Sequence, residues 1–142
     1  MFQQQERMKK SIFIVDAPRP LATYSQAILI DNTLYISGQI GIDPYTGKFV
    51  EEGPVAQLKQ IMENIRAILK EADMDFTHIV KVSLFLSDMQ LYNDINQVYA
   101  VYFEHDPPAR ETIAVAGLPK NADVDISCIA VRSTEKEVLS VH

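Results

Sequence analysis

The feature that most restricts this chain is a change of hydrophobic period at Pro54. Up to that point the apolar residues come in short runs broken by turn formers. After it, Val55, Leu58, Ile61, Met62, Ile65, Ile68 and Leu69 recur every three or four residues. That spacing predicts an amphipathic helix with proline in its first turn. Its other face carries Lys59, Glu63, Arg66 and Lys70. Period two returns in "IVKVSLFLSD", with Val80, Val82, Leu84 and Leu86 on one face and Ile79 and Phe85 on the other. Lys81 and Ser83 share that second face, so both faces read as partly covered. A second helical stripe runs from about Leu91 to Phe103 through Ile95, Val98, Tyr99, Tyr102 and Phe103.

The flanking segments complete the order. "SIFIV" reads as a short strand, and "APRPLATYSQ" as an irregular segment because its prolines forbid a ladder. "AILIDNTLYISGQ" reads as a hairpin turning at Asp31 and Asn32, and "GIDPYTGK" as a second turn. "ETIAVAG" and "VDISCIAVR" are closing strands. The order β-β-β-α-β-α-β-β suits an α+β fold: two helices on one face of a single mixed sheet. Nothing in the chain is left to cover the other sheet face, so apolar residues there predict self-association. The 142 residues fit one domain, 1–142, with residues 1–10 read as an N-terminal extension and a candidate for disorder.

Charge narrows the function. A net charge of -6 disfavours a general nucleic-acid binder, which needs clustered Lys and Arg. It leaves room for a small anion held by one local cation. No segment approaches the ~20 apolar residues of a membrane span, and the Ile12 to Val15 run is too short for a signal-peptide core. No membrane partner is expected, and the cytoplasm is the expected location. The single cysteine, Cys128, permits no intrachain disulfide. It alternates with Val124, Ile126 and Ala130, the pattern of a small buried hydrophobe rather than a nucleophile. His78, His105 and His142 lack metal-ligand spacing, and no glycine-rich phosphate loop is present. No metal and no cofactor are expected.

Arg110 stands out instead. In "HDPPARETIAV" two prolines stiffen its approach and a strand follows it. A guanidinium fork held in this way suits a carboxylate, although an exposed arginine beside Glu111 is the plainer reading. Asp125 points to the sheet face opposite Cys128 and could orient water or be a solvated edge charge. Tyr24 in "TYSQA" offers a hydroxyl beside an irregular loop, for packing or for binding.

Four segments, "ATYSQAI", "LYISGQIGIDPYTGKFV", "ENIRAILKEADMDFTHIVKVSLFLSDM" and "PPARETIAVAGLPKNADVDISCIAV", resemble the RidA (YjgF-like) imine deaminases. The likeness is collinear from Ala17 to Val131. It implies a homotrimer of chorismate-mutase-like α+β subunits, with sheets inward, helices outward and sites in the clefts between subunits. It implies hydrolysis of 2-imino acids and their enamine tautomers to 2-keto acids and ammonia. The family's carboxylate-binding arginine falls on Arg110, its site tyrosine on Tyr24, its serine on Ser37 and its helix asparagine on Asn96. Thr23 stands where a proline usually precedes that tyrosine. Thr112 stands where cysteine is frequent. The water-associated glutamate falls on Asp125, one methylene shorter. The resemblance thus gives Arg110, Asp125 and Tyr24 catalytic roles, with Ser37, Asn96 and Thr112 binding substrate. Two alternatives stay open: a non-catalytic trimeric ligand-binding or chaperone-like module, and an RNA-cleaving translation inhibitor.

Overall fold

The computed structural model describes residues 8–133. Most of the expected extension, and His142, lie outside the described residues, whereas Lys10 already pairs in the first strand.

The elements are β1 (Lys10–Ile12), β2 (Ala27–Ile30), β3 (Thr33–Gln39), α1 (Pro54–Glu71), β4 (Ile79–Leu86), α2 (Tyr92–Tyr102), β5 (Ala109–Ala114) and β6 (Val124–Val131). They build one six-stranded mixed sheet in the order β1-β2-β3-β6-β4-β5. Only β4 and β5 run parallel, and α2 supplies the crossover that a parallel pair requires. This is the α+β architecture read from the sequence, with two helices and a single sheet.

The core forms where the two periods meet. α1 buries Leu58, Ile61, Met62, Ile65, Ile68 and Leu69, and α2 buries Ile95 and Tyr99. They close over Leu34, Ile36, Val82, Leu84, Val124 and Ile126 of the sheet. Each such aliphatic side chain contributes roughly 1.5–3 kcal/mol on burial. β6 alternates cleanly, with Val124, Ile126, Cys128 and Ala130 inside. The hairpin turns at Asp31, whose φ of 54° is the left-handed conformation that a short polar side chain tolerates.

Three local readings change. The strand expected over "SIFIV" stops at Ile12. Beyond it the buried Gln26 amide accepts a hydrogen bond from the Ile14 N–H at 2.7 Å and donates to the Ile14 carbonyl at 3.0 Å. A side chain therefore replaces the ladder there. In β4 a register shift between Ile79 and Lys81 turns Ile79 into the core and leaves Val80 exposed. β5 begins at Ala109, so Arg110 lies inside a strand rather than at its mouth.

Two contacts fix the end of the sheet that matters below. A Cβ on Gly41 would lie 2.9 Å from the Gln57 Cα, so glycine lets the chain leaving β3 rest on the α1 backbone. The buried Gln57 amide accepts from the Asp123 N–H at 2.8 Å and donates to its carboxylate at 3.2 Å. This ties α1 to the start of β6. Among the described residues no helix covers the outer sheet face. Tyr35 is 48% exposed there and Ile113 47%, with Ile28, Phe85 and Ile129 beside them half-buried. Among the described residues no helix is long and apolar enough to cross a membrane.

Candidate functional site

The pairing register decides which candidate residues can meet. Arg110 stands opposite Val82, and Val82 opposite Cys128, so the Arg110 side chain shares the helix-covered face. Asp125 stands opposite Phe85 on the outer face. The two positions are two strands and three residues apart, about 14 Å along the sheet from standard spacings, and on opposite faces. One chain therefore presents the candidates as two separate groups, each a candidate half-site.

The first half-site lies between α2 and β5. Arg110, Asn96, Tyr99, Ala100, Phe103 and the Pro107–Pro108 pair line a cavity of about 230 Å³. The guanidinium carbon sits 4.6 Å from the Tyr99 ring centroid and 5.8 Å from that of Tyr92. Arg110 Nη2 donates to the Tyr92 hydroxyl at 3.1 Å. Stacking of this kind is worth roughly 0.5–2 kcal/mol, more as water is excluded. Among the described residues no carboxylate pairs with Arg110; the ion pairs lie elsewhere, at Arg66–Glu63, His78–Asp75 and Lys81–Glu111. Among the described residues the Tyr92 hydroxyl is the one hydrogen-bond acceptor for Arg110, which leaves most of its five N–H donors for a ligand. Thr112, two residues along the same face, has a buried hydroxyl with no hydrogen-bond partner among the described residues. The Tyr99 hydroxyl is in the same condition. Burial pushes the Tyr99 phenol up to about 12, against the pull of the Arg110 charge.

The second half-site lies where β3 ends beside β6. Tyr24, Gly38 and Gln39 line one shallow notch with the Pro18–Leu21 turn. The Gln26 amide holds that turn by donating to the Ala17 carbonyl at 3.2 Å and the Pro18 carbonyl at 3.0 Å. The Tyr24 hydroxyl accepts from the Leu21 N–H at 3.0 Å, which aims the ring across the notch. Ser37 is committed locally, donating to the Ser25 carbonyl at 2.6 Å. Gly38 makes room for Asp125: a Cβ at Gly38 would lie 2.6 Å from Asp125 Oδ1. Desolvation raises the Asp125 carboxyl from 3.8 to about 6. The group is half-buried, largely ionised at neutral pH and close to the basicity that suits proton transfer from water.

The structure thus gathers Arg110, Asn96 and Thr112 on one side, and Tyr24, Ser37 and Asp125 on the other. Cys128 is no rival nucleophile, being 4% exposed with its thiol pushed up to about 12 by burial. Among the described residues no three His, Cys, Asp or Glu side chains cluster for a metal. Tyr92, the phenol that meets Arg110, was not singled out from the sequence. The signal was present: Tyr92, Asn96, Tyr99 and Phe103 are spaced by four, three and four, one face of a helix.

Comparison with known proteins adds independent observations. The family model described as Endoribonuclease L-PSP matches residues 14–132. The chain is 42% identical over 125 residues to the 2-iminobutanoate/2-iminopropanoate deaminase of Rattus norvegicus, covering 88% of this chain and 91% of the rat protein. It is 44% identical over 120 residues to a RutC family protein of Sulfurisphaera tokodaii, covering 84% of this chain and 96% of that one. The crystal structure of RidA from the Antarctic bacterium Psychrobacter sp. superposes with a TM-score of 0.84 at 38% identity, covering 87% of this chain and 99% of that one.

Proposed function

Because this chain belongs to the endoribonuclease L-PSP family, which includes the RidA and YjgF proteins, we propose that it hydrolyses small 2-imino acids to 2-keto acids and ammonia. The observation that carries this reading is Arg110: a guanidinium over the Tyr99 ring, lining a cavity of about 230 Å³, with no acid paired to it among the described residues. A planar fork in that setting binds a carboxylate through two parallel hydrogen bonds. Relatives named 2-iminobutanoate/2-iminopropanoate deaminase support the substrate class.

Arg110 and Asp125 act on one substrate only if they come from different copies. The proposed assembly is a homotrimer in which the Arg110 side of one subunit meets the Asp125 side of the next. The uncovered sheet face, with Tyr35, Ile113 and Ile129, supports burial against other copies.

The chemistry then needs little beyond placement. The imine carbon of a protonated imine is already electrophilic. Arg110 holds the carboxylate and Asn96 borders it, with Thr112 two residues further along the same face of the strand. Tyr24 and Ser37 shape the opposite wall. The Asp125 carboxylate orients a water and takes its proton as the oxygen bonds to the imine carbon. The resulting carbinolamine recovers that proton on nitrogen; as the C–N bond breaks and ammonia leaves, the hydroxyl oxygen forms the C=O bond and its proton passes to the Asp125 carboxylate, leaving the 2-keto acid. General-base assistance of this kind typically contributes 10²–10⁴-fold. RNA is a poorer fit to a chain of net charge -6.

The test is to generate 2-iminobutanoate from threonine with a pyridoxal-phosphate dehydratase and trap it with semicarbazide. Added protein should lower the semicarbazone yield, and Arg110→Ala should not. A parent protein without effect refutes the enzyme. If 2-oxobutanoate still raises the melting temperature of such an inactive protein, the cleft is a binding module.

A further inference from the structure

The contact between Arg110 and Tyr92 has a consequence within this same site, and it rests on the reading of Arg110 as the carboxylate anchor. An arginine side chain has four flexible torsions, so its fork recognises a carboxylate well only when the plane of the guanidinium is fixed. Pro107 and Pro108 stiffen the backbone approach but reach no further than the backbone. Among the described residues two side chains act on the guanidinium itself, both from α2. The Tyr99 ring lies under its carbon at 4.6 Å, a contact with no directional bond to fix the rotation of the fork. The Tyr92 hydroxyl accepts from Nη2 at 3.1 Å, which sets the rotation. Tyr92 opens α2, so its oxygen is carried by the first turn of a helix anchored through Ile95 and Tyr99 in the core.

We propose that Tyr92 is a positioning residue: its phenol oxygen holds one N–H of Arg110 so that the remaining fork is presented in a single orientation to the substrate carboxylate. The ring and the hydroxyl have separable duties. The ring at 5.8 Å is peripheral, and the oxygen makes the directional bond. Removing the oxygen alone leaves Arg110 stacked on Tyr99 but free to swivel. The ground state and the transition state share the carboxylate contact. Loss of the brace therefore weakens binding of both, which appears in KM rather than in kcat.

The experiment compares the parent with Tyr92→Phe, Arg110→Lys and the double variant. The readouts are imine turnover and, independently of turnover, calorimetric binding of 2-oxobutanoate. Tyr92→Phe should raise KM and the dissociation constant for 2-oxobutanoate by about 10–150-fold, the range of one hydrogen bond to a charged group. Its kcat should change by less than about twofold. In the Arg110→Lys background the same substitution should have little further effect, because lysine has no fork to orient. A parent that turns over imine while Tyr92→Phe keeps the parent KM and affinity overturns the role of Tyr92 and leaves the site reading intact. Equal effects of Tyr92→Phe with and without Arg110 also overturn it, since Tyr92 would then not act through Arg110. A drop in melting temperature with an unchanged dissociation constant assigns Tyr92 to packing and overturns it as well. A parent that neither binds 2-oxobutanoate nor turns over imine overturns the site reading and this inference together.

Discussion

Replacing Asp125 by asparagine should make the protein more stable above about pH 6 and leave it nearly unchanged in acid. Desolvation raises this carboxyl from 3.8 to about 6 in the folded protein. A carboxyl with a raised folded value favours its neutral form in the fold. Below the unfolded value both states are protonated, so asparagine and aspartic acid are near equivalents. As pH rises through the folded value, the native state must ionise a half-buried group, and stability is lost relative to asparagine. The full shift of about 2 units corresponds to ~3 kcal/mol at 1.36 kcal/mol per unit. Solvent reaches part of the side chain, and screening reduces the expected difference to about 1–2 kcal/mol. At about 3 °C per kcal/mol for a chain of this size, the melting temperature of Asp125→Asn should exceed the parent's by about 3–6 °C at neutral pH. Urea unfolding at matched protomer concentration, in acid and at neutral pH, measures the difference directly when both proteins also carry Arg110→Ala, which removes the cation that the proposed assembly brings to the cleft. A difference between variant and parent that is flat with pH, or that favours the parent at neutral pH, refutes a desolvated Asp125. The same variant should lose imine turnover, and a stabilised but inactive protein is the signature of a group kept for chemistry.

Other substitutions test the surroundings. Gly38→Ala should push the Asp125 carboxylate aside, since the new Cβ would lie 2.6 Å from Oδ1. Imine turnover should fall by about 10-fold or more while 2-oxobutanoate binding through Arg110 survives in calorimetry. Gln26→Ala should destabilise the fold by about 2–4 kcal/mol in urea unfolding, because it orphans the Ile14 N–H and the carbonyls of Ala17 and Pro18. Ile129→Glu places a charge on the uncovered sheet face and should shift sedimentation from an oligomer towards a monomer that retains its circular dichroism.

The elements were readable because each shows its period. The α1 stripe from Leu58 to Leu69 is buried as expected, and β6 alternates as its sequence does. Cys128 and Asp125 fall on opposite faces, as period two requires. Readings went astray where one side chain or one inserted residue outweighs periodicity. Phe13–Val15 looks like strand continuation, but Gln26 takes the hydrogen bonds of Ile14 from a distance of twelve residues. Val80 alternates correctly on paper and is turned outward by a register shift. The division of the site is the deeper case. The face of Arg110 depends on how β5 registers against β4, and that of Asp125 on how β6 registers against β4. Register is a property of pairs of strands, so no single segment carries it. The contact between Arg110 and Tyr92 hid for a related reason. Tyr92 shares a helical face with Asn96 and Tyr99, but the sequence does not show that β5 comes to lie against that face.

The division of Arg110 and Asp125 between two copies is tested most directly by mixing inactive partners. Arg110→Ala and Asp125→Asn, each purified and each without imine turnover, are unfolded together in equal amounts and refolded. In a cyclic assembly whose sites take Arg110 from one copy and Asp125 from the next, half of the positions carry an intact Arg110 and half of their neighbours an intact Asp125, so about one quarter of the sites are complete. Turnover should return to about one quarter of that of the parent refolded in the same way. Refolded mixtures that form mixed oligomers yet stay inactive would place both residues in the same copy's site and contradict the shared cleft.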